Sequence, residues 1–398
     1  MNGRAETELA RVVRDHAGRL AASLVSLLGD FAAAEDLVSD AVLAALERWP
    51  VEGVPERPDA WLFTVARRRG VDVLRRQARY RDKLAQLRWP AAPEPGDRLR
   101  LIFTCCHPAL PRESRIALTL RVVCGLTTTQ IASAFLVRES TVAQRITRAK
   151  RKITDADIPY RIPSADELGE RLDEVLAVIY LLFNEGYLAS GGEVTERRDL
   201  TEDAEWLAGL LADLMPAEPE VTGLLALIRL HRARAAARFD AAGQLIRLSD
   251  QDRGRWDHEG IAGAIRLLTR AARHRRPGPY QLQAAIVACH AEARTWADTD
   301  WPQIVLLYDL LLAHAPSPVT RLHRAIALSH VAGADAALAE LATVAGQLDR
   351  YHLYHAARAE LLRELGDAGR AREADRRALE LTSNPAEEAV LRQRLHEG

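Results

Sequence analysis

Apolar residues recur at three- and four-residue spacing along most of this chain, whereas its valines and isoleucines are scattered rather than alternating. The first spacing places apolar side chains on one face of a helix, and strict alternation would indicate half-buried strands. Alanine, leucine and arginine, all strong helix formers, dominate the sequence. The pattern therefore predicts an all-α fold, and the length of 398 residues predicts two or three domains.

Proline and glycine interrupt the helical pattern and mark the predicted boundaries. Two helices are expected within 5–49, with breaks at Gly29-Asp30 and Trp49-Pro50. A linker is predicted at 89–97, because WPAAPEPGD has three prolines and no periodicity. The remaining predicted segments are a loop at 50–59, helices through 60–88 and 97–153, a boundary at 158–166, and further helices from Glu167 to the C-terminus.

Residues 126–153 predict two short helices joined by a tight turn at Leu136-Val137-Arg138. In the first helix Ile131 and Ala132 are expected to face inward. Ser140 is expected to cap the second helix, because its hydroxyl can accept a hydrogen bond from a free amide of the first turn. The buried stripe of that helix is predicted at spacings of four, three and four residues: Val142, Ile146, Ala149 and Ile153.

The opposite face of this second helix is cationic. From Arg138 to Lys152 there are six basic residues and one acid, Glu139. Glutamine and arginine can pair bidentately with adenine and guanine edges, whereas lysine and arginine at the helix end would contact phosphate. A solvated basic face on an ordinary hairpin is the alternative, but the turn, cap, stripe and charges agree with one another. The predicted DNA contacts are Ser140, Thr141, Gln144, Arg145, Arg148, Lys150, Arg151 and Lys152.

This segment resembles region 4 of sigma-70-type transcription initiation factors, the part that reads the promoter −35 element. It departs from the family at Leu136, where a glycine is usual in the turn. A leucine resists a left-handed backbone by about 1–2 kcal/mol.

Two earlier segments resemble sigma region 2. The first is AEDLVSDAVLAALERW (34–49), whose Val38, Ala41, Val42, Ala45 and Trp49 mark one apolar face, widened by Leu37 and Leu46. An acidic patch lies near the predicted helix start, where the helix dipole favours it. In the family the matching helix docks on the clamp of core RNA polymerase. The resemblance implies a polymerase contact through Glu35, Asp36, Ser39 and Asp40, with Asp36 and Asp40 foremost.

The second segment is WLFTVARRRGVDVLRR (61–76), with Trp61, Leu62, Val65 and Ala66 expected to pack inward. The family uses this helix and the preceding loop, here about 50–60, to melt the −10 element and capture an extruded base. Arg68 stands where the family often has asparagine. The implied −10 contacts are Arg67, Arg68, Asp72, Arg75 and Arg76.

The C-terminal part of the chain contains a predicted repeat. Residues 359–389 resemble a tetratricopeptide unit, a helical hairpin of about 34 residues. Gly366 fits a close helix approach, Ala371 and Ala378 fit small packing positions, and Gly333 precedes Gly366 by 33 residues. Asp375 departs from the pattern, because a large aromatic is usual there. An irregular all-helical domain is the alternative.

Charge divides the chain in two. Residues 1–158 carry 26 Lys+Arg and 19 Asp+Glu, whereas residues 159–398 carry 28 and 36. A basic N-terminal part and an acidic C-terminal part suggest a nucleic-acid-binding part joined to a part that binds something else. The sequence has neither an apolar run of about 18 residues nor a signal peptide, so we expect a cytoplasmic protein without a membrane partner.

Two clusters invite other interpretations. Cys105-Cys106-His107 lacks a second pair at zinc spacing, so buried structural thiols are predicted, a redox-sensing thiol is the alternative, and neither metal nor cofactor is expected. Polar-aromatic segments at 180–187 and 248–260 offer Glu185, Asp250, Asp252 and His258 as acid/base groups. Neither a nucleophile–base pair nor a phosphate loop accompanies them, so inter-helix hydrogen bonding is predicted rather than an enzyme.

Together the resemblances imply an extracytoplasmic-function sigma factor with a tetratricopeptide-like extension. Residues 1–88 would be region 2, 97–155 region 4, and 159–398 a helical regulatory tail acting in cis. Core RNA polymerase and promoter DNA are the implied partners, and a small DGPF-type protein is an implied regulatory partner. The competing class is a helix-turn-helix transcription regulator that binds DNA without directing polymerase.

Overall fold

The computed structural model describes residues 12, 20–21, 23–25, 28, 31–76, 95–135, 137–188, 200–240, 244–382 and 385–397. In these ranges the β pairing is a single isolated bridge between Phe239 and Leu245, and the predicted all-α class is confirmed. No helix within these ranges is long and apolar enough to cross a membrane. Predictions for most of 5–30, for 77–94, for 189–199 and for Leu136 lie outside the described residues.

The helices form two compact units. The first unit contains α1 to α8: Phe31–Glu52, Pro58–Arg76, Pro95–Cys105, Arg112–Val122, Thr128–Ala134, Glu139–Asp155, Ala165–Leu188 and Leu200–Leu214. The second unit contains α9 to α18: Pro219–Arg232, His258–Ala272, Pro279–Glu292, Trp301–His314, Pro318–Ala332, Ala334–Ala342, Ala345–Leu348, His352–Glu364, Ala368–Leu381 and Pro385–Glu397.

Helix α1 is longer than predicted at its C-terminal end. It continues through Pro50 to Glu52, and the break predicted at Trp49-Pro50 is wrong. Gly53 follows the last helical residue. Its φ of +87° is a conformation that favours glycine, and its amide donates to the Trp49 carbonyl at 3.0 Å. A short connection then leads to Pro58, which suits the first position of α2 because proline lacks the amide that would go unpaired there.

Helices α1 and α2 pack against each other through aromatic and aliphatic side chains. Trp49 and Trp61 meet edge-to-face with ring centroids 5.6 Å apart. Leu62 and Ala66 are buried, as predicted. Leu46 was assigned to the apolar face of α1, but its side chain is 44% exposed. The buried face of α1 is therefore narrower than the sequence indicated.

The first unit extends beyond the boundary predicted at 158–166. Helix α8 packs on α3, and Arg171 of α7 donates to the Phe103 carbonyl at 2.7 Å. Arg115 of α4 and Glu174 of α7 form an ion pair. These contacts hold α7 and α8 against the helix-turn-helix part of the chain.

In the second unit, helices that follow one another along the chain pack against each other. The most buried element of this unit is α9, and α16 with α17 form the hairpin that the repeat predicted. Ala371 and Ala378 are buried, in agreement with the predicted packing positions. Gly366 has a φ of +78°, and an added Cβ would have nothing within 4 Å. Gly366 therefore serves the turn between the helices and not the predicted close approach.

Asp375, which departed from the repeat pattern, is fully buried and accepts a hydrogen bond from Arg363 Nη2 at 2.5 Å. In the segment 248–260, Asp252 and Asp257 accept hydrogen bonds from the Gly254 and Gly260 amides, each at 2.9 Å. Asp250 pairs with Arg247 at 2.9 Å. The bonds of Asp250, Asp252 and Asp257 are local, to residues two or three positions away, whereas inter-helix hydrogen bonding was predicted for this segment.

Cys105 and Cys106 are buried, as predicted. Burial raises the pKa of Cys106 to about 11 and holds that of Cys105 well above its ordinary value. Both side chains are therefore neutral thiols at pH 7, which removes the nucleophilic form that redox sensing requires.

Candidate DNA and polymerase interface

Helix α6 buries the stripe that its apolar spacing predicted. Val142, Ile146, Ala149 and Ile153 are between 1% and 6% exposed. They pack on α4 and α5, together with the buried Ile131 of α5. A stripe at this spacing fixes the rotation of the helix about its axis. The residues between the stripe positions are consequently directed away from the core.

The residues predicted to read DNA lie on that outward face. Ser140, Gln144 and Arg148 are exposed, and Thr141 and Arg145 are half-buried. Gln144 and Arg148 are one helical turn apart, so both can reach the edges of adjacent base pairs in a major groove. The geometry of α6 thus matches a recognition helix.

The start of α6 differs from the prediction. Arg138, in an extended conformation, occupies the N-cap position without a capping hydrogen bond, and Ser140 lies inside the first turn. The predicted Ser140 cap is therefore wrong. Instead Glu139 Oε1 accepts hydrogen bonds from the Thr128 and Thr129 hydroxyls at 2.9 and 3.0 Å. This carboxylate joins the N-terminal ends of α5 and α6 and is favoured there by the helix dipoles.

The three cations at the end of α6 have different surroundings. Lys152 is exposed, and Arg151 is exposed with Asp155 at 3.2 Å. Lys150 turns toward α1, where it forms an ion pair with Glu35 and lies 3.9 Å from Asp36. The structure thus places Arg151 and Lys152 on the open surface and Lys150 at a contact between α6 and α1.

On α2 the first two predicted −10 contacts, Arg67 and Arg68, are exposed. The side chains of Asp72, Arg75 and Arg76 lie outside the described residues, although the helix itself continues to Arg76. The adjacent Arg69 pairs with Asp40 of α1 at 2.8 Å. Arg69 therefore connects α1 and α2, a role that the sequence did not indicate.

The acidic patch of α1 lies about one to two and a half turns after the helix start. The helix begins at Phe31, so the patch does not occupy the first turn, and the predicted dipole stabilisation does not apply. Asp36 projects into solvent with its side chain 77% exposed. Glu35 is only 7% exposed. A buried carboxylate requires cationic or hydrogen-bonding partners, and Glu35 has them.

Arg121 of α4 is the second partner of Glu35. Its Nε donates to Glu35 Oε1 at 2.9 Å, its Nη2 to the Ser39 hydroxyl at 2.8 Å, and its Nη1 to the Leu126 carbonyl at 3.1 Å. The guanidinium thus joins α1, α4 and the segment before α5. We call Glu35, Ser39, Arg121 and Lys150 the Glu35 cluster.

Burial alone would raise the pKa of Glu35, but Lys150 and Arg121 outweigh it and hold the pKa below its ordinary value. The carboxylate is therefore charged at neutral pH. Arg121 was not among the predicted site residues, because its partners lie 82 and 86 positions away in the sequence.

The comparisons with known proteins agree with this arrangement. Sigma-70 region 2 matches residues 12–80, and sigma-70 region 4 matches residues 100–153. A family of unknown function, DUF6596, matches residues 171–272. No solved structure matches the chain.

Two relatives differ in how much of the chain they cover. An uncharacterized protein of Rhizobium meliloti is 46% identical over 376 residues, which are 91% of this chain and 89% of the relative. The ECF RNA polymerase sigma factor SigL of Mycobacterium tuberculosis is 35% identical over 158 residues, which are 37% of this chain and 89% of SigL. The front of the chain thus aligns with almost the whole of SigL, and the chain belongs to the extracytoplasmic-function sigma factors of the sigma-70 family.

Proposed function

We propose that this protein is an alternative sigma factor whose α6 reads the −35 element and whose α2 contacts the −10 element. The observation that carries the proposal is the outward row of Thr141, Gln144, Arg145 and Arg148, opposite the buried stripe of α6. This row presents side chains that suit base edges, and the exposed Arg151 and Lys152 follow it toward the position of a phosphate backbone.

Docking on core RNA polymerase is proposed for α1. Its exposed surface combines the acid Asp36 with two large apolar side chains, Leu43 and Leu46, which are 56% and 44% exposed. Apolar groups surrounded by polar ones are typical of protein interfaces. A regulator that only binds DNA has no need of such a surface.

The Glu35 cluster adds a condition to this function. Lys150, a proposed phosphate contact, is paired with Glu35, a proposed polymerase contact. Neither side chain can serve its proposed partner while the pair persists. We infer that loading onto core polymerase and promoter DNA exchanges these internal ion pairs for intermolecular ones.

Regulation is proposed for residues 159–398. The charge split supports this role, because these residues carry a net charge of −8 and residues 1–158 one of +7. The acidic excess lies in residues 159–214, which hold 4 Lys+Arg and 13 Asp+Glu, whereas residues 215–398 hold 24 and 23. An acidic part of the same chain can compete with polyanionic DNA for the basic part. A small DGPF-type protein is the proposed partner of this regulatory part.

Run-off transcription with purified core polymerase tests the proposal. Promoter fragments are first selected from genomic DNA by the protein in the presence of core polymerase. We expect specific run-off products that Arg148→Ala reduces at least about fivefold, since a bidentate base contact contributes about 1–3 kcal/mol. The matched control is Arg376→Ala, an exposed arginine of the second unit. DNA binding without any run-off product would favour the competing class, a regulator that does not direct polymerase.

A further inference from the structure

The second unit contains a cavity of about 550 Å³ between α13 and α16. Small-molecule sites usually occupy about 300–1,000 Å³, so the cavity can hold an organic molecule of that class. Its walls are largely apolar, with Leu322 and Ile326 from α13 and Leu353 and Leu361 from α16. Trp296 contributes an indole ring to the same cavity.

The arginines at the cavity already have anionic partners. Glu360 lies 3.8 Å from Arg247 and 3.4 Å from Arg394, and it pairs with Arg363 at 2.9 Å. Arg247 also pairs with Asp250 at 2.9 Å. An anionic ligand would have to displace these carboxylates, which makes the arginines poor candidates for recognition.

Glu364 lies one helical turn beyond Glu360 and also lines the cavity. Among the residues that the structure describes in this unit, no cation lies within ion-pair distance of it. Partial burial and the neighbouring Glu360 raise the pKa of this exposed carboxyl. Burial lowers the pKa of His323 and His330, the two histidines of the wall, so both are neutral at pH 7.

The charged side chains that line the cavity are Arg247, Arg394, Glu360 and Glu364. Both arginines lie within ion-pair distance of Glu360, so Glu364 is the one charged group of this lining without a counter-ion among the described residues. A ligand that supplies one positive charge would balance Glu364 and leave the existing ion pairs intact.

We propose that this cavity binds a small organic cation with an apolar or aromatic body. Glu364 pairs with the cation, and the aliphatic walls enclose the body of the ligand. Trp296 adds an aromatic face, which attracts cations and stacks on planar groups. This ligand site is separate from promoter recognition and does not depend on the sigma-factor proposal.

Two fluorescent probes with the same fluorophore and opposite charge test the inference on the full chain. Dansylcadaverine carries an amine, and dansylglycine carries a carboxylate. Fluorescence anisotropy titrations should show saturable binding of dansylcadaverine and at least about threefold weaker binding of dansylglycine, the range expected for one partly exposed ion pair. Glu364→Gln should remove this difference, and Glu364→Lys should reverse it.

Glu373→Gln is the matched control, because Glu373 is an exposed acid of α17 that does not line the cavity. It should leave both titrations unchanged. Ala357→Trp fills the cavity and should abolish binding of both probes. Equal affinity for the two probes, a preference for dansylglycine, or binding of dansylcadaverine unaffected by Glu364→Gln would each overturn the assignment, as would the absence of saturable binding.

Discussion

At the scale of single residues, Glu35 lies in an environment that is unfavourable for an unpaired charge. Its carboxylate is almost fully buried, yet it stays charged because Arg121 and Lys150 reach it from two other helices. Desolvation of such a group is costly unless its hydrogen bonds are complete. The stability of the contact between α1, α4 and α6 should therefore depend strongly on this side chain.

Glu35→Gln should lower the free energy of unfolding of the first unit by about 2 kcal/mol, because hydrogen bonds to a charged group contribute about 1.5–3 kcal/mol. Urea unfolding of the full chain, followed through its earliest transition, measures the change. Asp36→Asn is the control, since its side chain is 77% exposed, and we expect a change within about 0.5 kcal/mol. Equal effects of the two substitutions would contradict the role assigned to Glu35.

The pH dependence of the same contact follows from the lowered pKa of Glu35. In the unfolded chain the carboxyl titrates near its ordinary value of 4.5. The contribution of the cluster is therefore complete above that pH and is lost as the pH falls through the lower pKa of the folded state. The difference in unfolding free energy between the native chain and Glu35→Gln should be constant near neutral pH and should shrink below pH 4.5. A difference independent of pH down to 3 would contradict this expectation.

At the scale of the elements, local spacing predicted α6 well. Its stripe of Val142, Ile146, Ala149 and Ile153 depends on helical periodicity alone, and the structure buries all four. The start of the helix was predicted less well, because a serine near the N-terminus is a common cap, whereas here Glu139 bonds to threonines of the preceding helix. A side chain that bonds across a turn leaves no periodic signal in the sequence.

The Glu35 cluster could not be predicted for the same reason. Lys150 lies 115 positions from Glu35, and its place in a row of cations favoured a phosphate contact. Only the packing of α6 on α4 and α1 decides which of three neighbouring cations turns inward. The sequence singled out Glu35, Ser39 and Lys150 but not Arg121, because the partner of each charge is set by tertiary structure.

Two substitutions on α6 should separate base reading from phosphate contact. Arg148→Ala should weaken binding to the selected −35 sequence by about 1–3 kcal/mol and relax the preference at one base position. Lys152→Ala should weaken binding to all sequences similarly and reduce the slope of log affinity against log salt by about 1. Electrophoretic or anisotropy titrations over a salt series, on selected and scrambled fragments, distinguish the two results. Identical profiles for both variants would count against a recognition helix.

At the scale of the whole molecule, the sequence placed a boundary at 158–166, where charge and proline content change. The compact first unit instead includes α7 and α8. Helix α7 is bound to the helix-turn-helix part by Arg115–Glu174 and by Arg171 with the Phe103 carbonyl. A change in composition marks where the character of the surface changes, and it does not mark where packing ends. The position of a truncation therefore decides whether the first unit keeps all of its helices.

Two truncations should behave differently. A chain of residues 1–214 keeps α7 and α8, whereas one of residues 1–159 exposes the faces of α3 and α4 that these helices cover. We expect the longer chain to unfold cooperatively, with a Tm close to that of the first unit in the full chain, and the shorter chain to lose several degrees, because losing about 1 kcal/mol lowers Tm by about 2–4 °C at this size. Equal stability of the two truncated chains would show that α7 and α8 are dispensable for the first unit.

Run-off transcription by residues 1–214, compared with the full chain, isolates the contribution of the second unit without damage to the first. Unchanged output and unchanged regulation in residues 1–214 would contradict a regulatory role for the second unit.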